Sequence, residues 1–123
     1  RYAQYLKGCD FIQRYIFPGS CVPSLGAINE AVRQRTDLKM VDLEDIAPHY
    51  AETLRRWRDN FNAHREDIRA LGYPERFIRL WNYYFCYCEA GFDERYLSDL
   101  QIVLTRPKWR GEVPRRLGNG SSF

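Results

Sequence analysis

Apolar residues recur along this chain in two helical stripes and two alternating runs. Tyr50, Leu54, Trp57 and Phe61 are spaced by four, three and four, and Phe77, Trp81, Tyr84, Cys88 and Phe92 by four, three, four and four. Such spacing lines one face of a helix. Two long amphipathic helices are therefore expected, the first from about Pro48 with Glu52, Arg55, Arg56, Arg58 and Asp59 on its polar faces. Gly72-Tyr73-Pro74 separates them, and Pro74 suits the first turn of the second. The run from Leu38 to Glu44 sets Leu38, Met40 and, after a slip, Val41 and Leu43 against Lys39, Asp42 and Glu44, as in a strand with one wet face. Leu100 to Thr105 alternates cleanly until Pro107.

Upstream, two shorter helical segments flank a proline corner. Asp10 is a plausible N-cap for a segment placing Phe11, Ile12 and Tyr15 together before Pro18-Gly19 ends it. After Val22-Pro23, Ser24 is a good N-cap for a helix carrying Leu25, Ile28 and Val32. The inventory is three or four helices and two strands. Two strands make a poor sheet alone and would suit the end of a larger one. With the chain opening on Arg1 inside ordinary folded sequence, it is expected to be part of a longer protein.

At 123 residues, 45% apolar, the chain is about one domain long and can build a core. With 28% charged residues, no apolar run approaches the roughly 20 needed to span a bilayer. Cys9, Cys21, Cys86 and Cys88 lack the pattern of a secreted disulfide framework, and no signal peptide is visible, so buried or half-buried reduced thiols in a cytoplasm are expected. The lone C-x-C and the separated His49 and His64 do not make a zinc site. After Leu104 the charge turns basic, with Arg106, Lys108, Arg110, Arg115 and Arg116 against Glu112. The folded part is expected to occupy residues 1–107, with 108–123 a basic, disordered tail. A solvated terminus is the plain reading of that tail, with contact to anionic headgroups, peripheral at the inner membrane surface, left open. Nucleic acid is not an expected partner.

The aromatic stripes admit two readings. Packing of helix on helix is the ordinary one. Yet Tyr50 and Tyr84 carry hydroxyls that need partners when buried, as in a greasy pocket holding a small polar species. No nucleophile elbow, glycine-rich phosphate loop or HExxH motif is present, nor a defensible carboxylate pair. His49 is more simply a surface or capping histidine. The residues alone stop at an α+β domain with an unusually aromatic interior.

The segments "DFIQRYIFPGSCVPSL", "VDLEDIAPHYAETLRRWRDNF", "RFIRLWNYYFCYCEAGF" and "LQIVLTRP", in this order and spacing, resemble the C-terminal portion of the cyclopropane-fatty-acyl-phospholipid synthases, which include the mycolic acid cyclopropane synthases. The resemblance runs from about Asp10 to Pro107. It implies an α/β fold, the C-terminal fragment of a class I, Rossmann-like methyltransferase, with helical lid elements and the last two antiparallel strands. It further implies methyl transfer from S-adenosylmethionine to a double bond of a lipid acyl chain, with bicarbonate taking the proton as a cyclopropane ring closes. Tyr50 matches the tyrosine that helps hold bicarbonate. Phe17, Val22, Leu54, Tyr84 and Cys88 match positions lining the acyl channel, while Tyr15 and Trp57 would support packing. The S-adenosylmethionine site and the other bicarbonate ligands would lie upstream, so the missing N-terminal half of the protein is an implied partner and this chain alone is expected to be inactive. The family usually has a second glycine where this chain has Ser20, and a basic residue where it has Asp93-Glu94. A methyltransferase acting without ring closure or on a small amine, and a non-catalytic lipid- or partner-binding module, are the alternatives. Pairing with a second copy is left open.

Overall fold

The computed structural model describes residues 2–113. A short helix α1, Tyr2–Tyr5, precedes a π-helical turn, Ile12–Ile16, and then come α2 (Leu25–Arg35), β1 (Lys39–Asp45), α3 (Ala47–Ala63), α4 (Arg65–Ala70), α5 (Glu75–Asp93) and β2 (Leu100–Thr105). Arg115, Arg116 and the Gly-Asn-Gly-Ser-Ser stretch of the expected tail lie outside the described residues.

Helices α3 and α5 form an antiparallel hairpin that contains the core. Leu54 on α3 is 1% exposed and packs with Phe85 and Cys88 of α5, while Tyr50, Phe61, Trp81, Tyr84 and Phe92 close around them. Asn62 Nδ2 donates to Asn82 Oδ1 at 2.7 Å at one end of the pair, and Tyr50 meets Phe92 with ring centroids 4.9 Å apart at the other. The buried line of α5 is Ile78, Phe85 and Cys88, one position away from the expected Phe77-Trp81-Tyr84 stripe over most of its length. The reason is composition: α5 carries aromatic rings nearly all round, so apolar spacing leaves the phase of the helix undetermined. Trp57, expected to help pack the core, is 48% exposed.

Along α3, Arg55 and Arg58 reach across to Glu89 on α5. Arg55 Nε donates to Oε1 at 3.0 Å, and Arg58 Nη1 stands 2.8 Å from Oε2. That second contact is an ion pair without hydrogen-bond alignment, because Arg58 Nη1 donates instead to Cys86 Sγ at 3.0 Å.

The link between the long helices contains α4, which the sequence pattern did not predict. It ends in a paired-hydrogen-bond cap. Gly72, at φ +89°, donates to Arg69 O and Tyr73 donates to Ile68 O, the left-handed termination that glycine adopts without steric penalty. Pro74 sits just outside α5 as its N-cap, one position before the place expected. Helix α5 ends with the same cap pattern, Arg95 donating to Phe92 O and Tyr96 to Gly91 O, but here Arg95 carries the positive φ of 53°.

The two strands pair antiparallel, from Lys39 opposite Thr105 to Asp45 opposite Leu100. The ladder slips between Met40 and Asp42, leaving Val41 as the extra residue of a β-bulge. This is the physical form of the broken alternation in the sequence. It also alters the expected wet face: Val41 is exposed, whereas Asp42 and Glu44 are half-buried. Ile46 N–H donates to Asp99 O at 2.8 Å beyond the last pair, and Asp45 Oδ1 accepts from Ala47 N–H at 3.0 Å, turning the chain directly from β1 into α3.

The segment before β1 contains no buried residue in α1, the π-helical turn or α2. Its caps nonetheless form. Asp10 Oδ1 accepts from Gln13 N–H at 2.8 Å while Gln13 Oε1 accepts from Asp10 N–H at 2.9 Å, a reciprocal capping box. Ser24 Oγ accepts from Ala27 N–H at 3.1 Å. Between them Ser20 N–H donates to Phe17 O at 3.0 Å across Pro18-Gly19, with Gly19 at φ +78°, a type II turn. Only Gly19 needs the left-handed backbone, so Ser20 in place of a second glycine leaves the turn intact.

Candidate functional site

The hydroxyl-bearing residues of the two stripes meet on the α3–α5 seam. Tyr50 projects from the first turn of α3, its ring 4.9 Å from Phe92 and 5.9 Å, edge-on, from Trp57. Tyr84, from the middle of α5, lies 5.4 Å from Trp81 and 5.6 Å from Phe85. Cys88 follows one turn later, buried and free. Burial pushes the Tyr84 hydroxyl up to about 12, aided by the charge of the neighbouring Cys88 and a hydrogen bond with it. Burial also raises Tyr50, with the negative charge of Asp99 adding to it, and burial raises the Cys88 thiol. All three directions favour the protonated form, because an apolar surrounding penalises phenolate and thiolate alike. The seam therefore presents neutral O–H and S–H groups among aromatic faces.

The sequence-predicted site residues distribute unevenly on this frame. Tyr50, Tyr84, Cys88 and Leu54 come together at the seam, and Leu54 is sealed between the helices. Phe17 joins them from the proline corner, its ring meeting Tyr84 edge-on at 5.8 Å and Trp81 at 6.3 Å while it remains 46% exposed. Val22 stands 70% exposed beyond that corner. Tyr15 is also exposed, tilted against Phe11 at 5.9 Å. His49 is an exposed residue in the first turn of α3.

Three of the four thiols, Cys9, Cys21 and Cys86, are exposed, which corrects the expectation of buried or half-buried cysteines. Among the described residues no three His, Cys, Asp or Glu side chains gather as a metal site would need. No described helix is long and apolar enough to cross a membrane. A cleft of about 360 Å³ opens where α3 begins and α5 ends, lined by Asp45, Pro48, Phe92, Arg95, Leu97 and Ser98 among others. None of the six predicted site residues lines it. It is polar-walled and open, so the aromatic seam, with its perturbed hydroxyls, is the better candidate site.

Sequence reasoning missed Ile78, Phe85 and the bracketed Glu89. Ile78 and Phe85 are seven residues apart, so a heptad count on α5 carried the signal. Glu89 lies among ordinary surface charges in the sequence and gave none.

A profile of the family described as mycolic acid cyclopropane synthetase matches residues 1–102. The tuberculostearic acid methyltransferase UfaA1 of Mycobacterium tuberculosis is 47% identical over 96 residues, 78% of this chain and 22% of the relative. The cyclopropane-fatty-acyl-phospholipid synthase of Escherichia coli K12 is 33% identical over 78% of this chain and 24% of its own length. The structure of the cyclopropane synthase MmaA2 from Mycobacterium tuberculosis superposes with a TM-score of 0.71 at 27% identity, over 83% of this chain and 34% of that one. The chain thus spans about a quarter of the length of these curated relatives. With the profile covering α1 to the start of β2 and the architecture shared with a cyclopropane synthase, the chain belongs to the mycolic acid cyclopropane synthetase family.

Proposed function

We propose that this chain forms the acyl-chain side of an S-adenosylmethionine-dependent methyltransferase that adds a one-carbon unit to a double bond of a lipid acyl chain. The observation that carries the reading is the seam: Tyr50 and Tyr84 hydroxyls, both held protonated, set among the rings of Phe17, Trp81, Phe85 and Phe92 in a chain of this family.

Methylation of an alkene carbon leaves positive charge on the neighbouring carbon. Aromatic faces attract such a cation without competing as nucleophiles, and the seam supplies several. Of the predicted lining residues, Phe17, Val22 and Tyr84 are proposed to border the acyl chain, while Leu54 and Cys88, both buried, would shape it from beneath. Phe17 and Val22 would form the open rim and Leu54 the floor, since its burial lets it act through the helices it spaces. Bicarbonate, when bound, would supply the base that takes the ring-closing proton. Tyr50 fits as one donor toward such an anion because its hydroxyl stays protonated. A complete anion site needs further donors from elsewhere.

The residues present do not fit S-adenosylmethionine. The glycines of the described region, Gly8, Gly19, Gly26, Gly72, Gly91 and Gly111, stand singly, and none opens a strand-to-helix turn of the kind that cradles a nucleotide. The methyl donor is accordingly assigned to a part of the protein outside this chain, and the chain alone is proposed to be inactive.

Tyr50→Phe, assayed in the full gene product, tests the reading. The expected result is a kcat lower by on the order of 10- to 100-fold, the worth of a hydrogen bond to a charged group, with affinity for S-adenosylmethionine unchanged. An unaltered kcat removes Tyr50 from the site, and methyl transfer to phospholipid by residues 1–123 alone overturns the proposed division of labour.

The 47% identity to a protein named as a methyltransferase rather than a cyclopropane synthase favours a second reading, transfer without ring closure. An exomethylene product and a cyclopropane are isomers of equal mass. NMR of the product's one-carbon unit, showing vinylic or high-field ring protons, decides between them.

A further inference from the structure

The proline corner that carries Phe17 and Val22 has no buried side chain to hold it, yet its backbone is fixed from two directions. Gln13 is the first bracket. Its amide oxygen accepts from Asp10 N–H at 2.9 Å, and Asp10 Oδ1 accepts in turn from Gln13 N–H at 2.8 Å. That reciprocal pair orients the Gln13 amide so that Nε2 donates forward, across seven residues, to Ser20 O at 3.2 Å. Tyr5 is the second bracket: its hydroxyl accepts from Val22 N–H at 2.9 Å, across seventeen residues. Ser20 O and Val22 N–H lie just past the type II turn, where neither helix nor strand satisfies them, so these side chains take over what secondary structure does elsewhere. Upstream of the turn Phe17 N–H donates to Ile12 O at 2.8 Å, and the Phe17 ring rests edge-on against Trp81 and Tyr84.

We infer that Gln13 and Tyr5 are positioning residues that set the acyl-chain rim, holding Phe17 and Val22 at a fixed separation from the α3–α5 seam and so tuning which lipid the site accepts. The inference rests on the proposed acyl-chain reading. Neither side chain is placed against substrate. Each acts through the backbone of residues 20 to 22, and binding geometry held this way loses affinity when the support loosens.

Gln13→Glu isolates the effect. A carboxylate still accepts from Asp10 N–H and keeps the capping box, but it has no donor for Ser20 O. Tyr5→Phe likewise deletes only the hydroxyl. In the full gene product, each variant is expected to raise the KM for an unsaturated phospholipid about three- to tenfold, the usual worth of one hydrogen bond, and to broaden selectivity among double-bond positions. The KM for S-adenosylmethionine and the kcat should stay within about twofold. Hydrogen exchange in the peptide spanning residues 17–24 should quicken in both variants. Gln13→Asn, too short to bridge Asp10 and Ser20, should behave as Gln13→Glu or worse. An unchanged lipid KM in an active enzyme overturns the inference, as does an equal rise in both KM values, which marks a merely structural role. If the wild-type full gene product methylates no acyl lipid, the acyl-chain reading itself fails. The rim role falls with it, while the exchange data still report whether the brackets hold the corner.

Discussion

The hairpin of α3 and α5 and the arm that precedes β1 are built from similar sequence signals and held by different forces. Both have well-formed caps and apolar residues at helical spacing. In the hairpin the stripes meet, and Leu54, Ile78, Phe85 and Cys88 leave water. In the arm, Ile12, Phe11 and Phe17 lean on the hairpin, but Leu25 remains exposed, Ile28 and Val32 stay half-exposed, and much of the order comes from hydrogen bonds at Asp10, Gln13, Ser24 and Tyr5. A stripe thus states that a helix has a face to bury but is silent on what will cover it. The candidate site straddles the two regions, with its protonated hydroxyls on the rigid part and its rim on the lightly held one.

The comparison breaks most visibly at Leu54. Leu54→Ala is expected to destabilise the protein by about 3–5 kcal/mol, the transfer loss plus the cavity left between two helices. Ile28→Ala on α2, half-exposed in this structure, should cost under about 1 kcal/mol. Urea unfolding of both variants measures the contrast, and similar losses would mean that α2 buries its stripe as fully as α3 does.

A smaller effect follows from the caps. Ser24→Ala removes the acceptor for Ala27 N–H and is expected to cost about 1 kcal/mol. Because α2 adds no buried residue to the core of the hairpin, the loss should appear as faster hydrogen exchange in residues 25–35 with the α5 amides unaffected. Uniformly faster exchange would show one cooperative unit.

The third effect is a matter of pH. Tyr84 in the folded protein titrates near 12 against an ordinary tyrosine value of 10. The unfolded chain therefore gives up this proton first, and the corresponding stability is complete below about pH 10 and is lost as pH rises toward 12. Tyrosinate absorbance should lose its latest-titrating phenol in Tyr84→Phe. A late step that survives Tyr84→Phe would overturn the burial of this hydroxyl in the seam.

Much of this fold is legible in the sequence. Ser24 and Asp10 announced their caps because a short side-chain oxygen before an apolar run has few other uses. Leu100 to Thr105 was bounded by its own alternation and Pro107, and the stumble at Val41 was the bulge itself. Three things were not legible. The phase of α5 was hidden by aromatic residues on every face, so Ile78 and Phe85 passed unnoticed. The short α4 has too few turns to show a period. Gln13 and Tyr5 act on backbone atoms seven and seventeen residues away, and a pattern of side-chain types carries no record of such reach. Of the site, Tyr50, Tyr84 and Cys88 were found as a stripe, but their shared electrostatics arises only when two helices meet.

The bulge at Val41 has a consequence for how the strands find each other. A plain antiparallel pair can slide by two residues and keep every side chain on its proper face, so sidedness alone leaves several alignments open. An extra residue at one fixed point acts as a key cut into the edge. Any slide carries Val41 past a partner that cannot accommodate it, and the match of Met40 to Leu104 and Asp42 to Val103 becomes the one alignment in which the key sits in its lock. Deleting Val41 would give a smoother strand and, by the same logic, a less certain one.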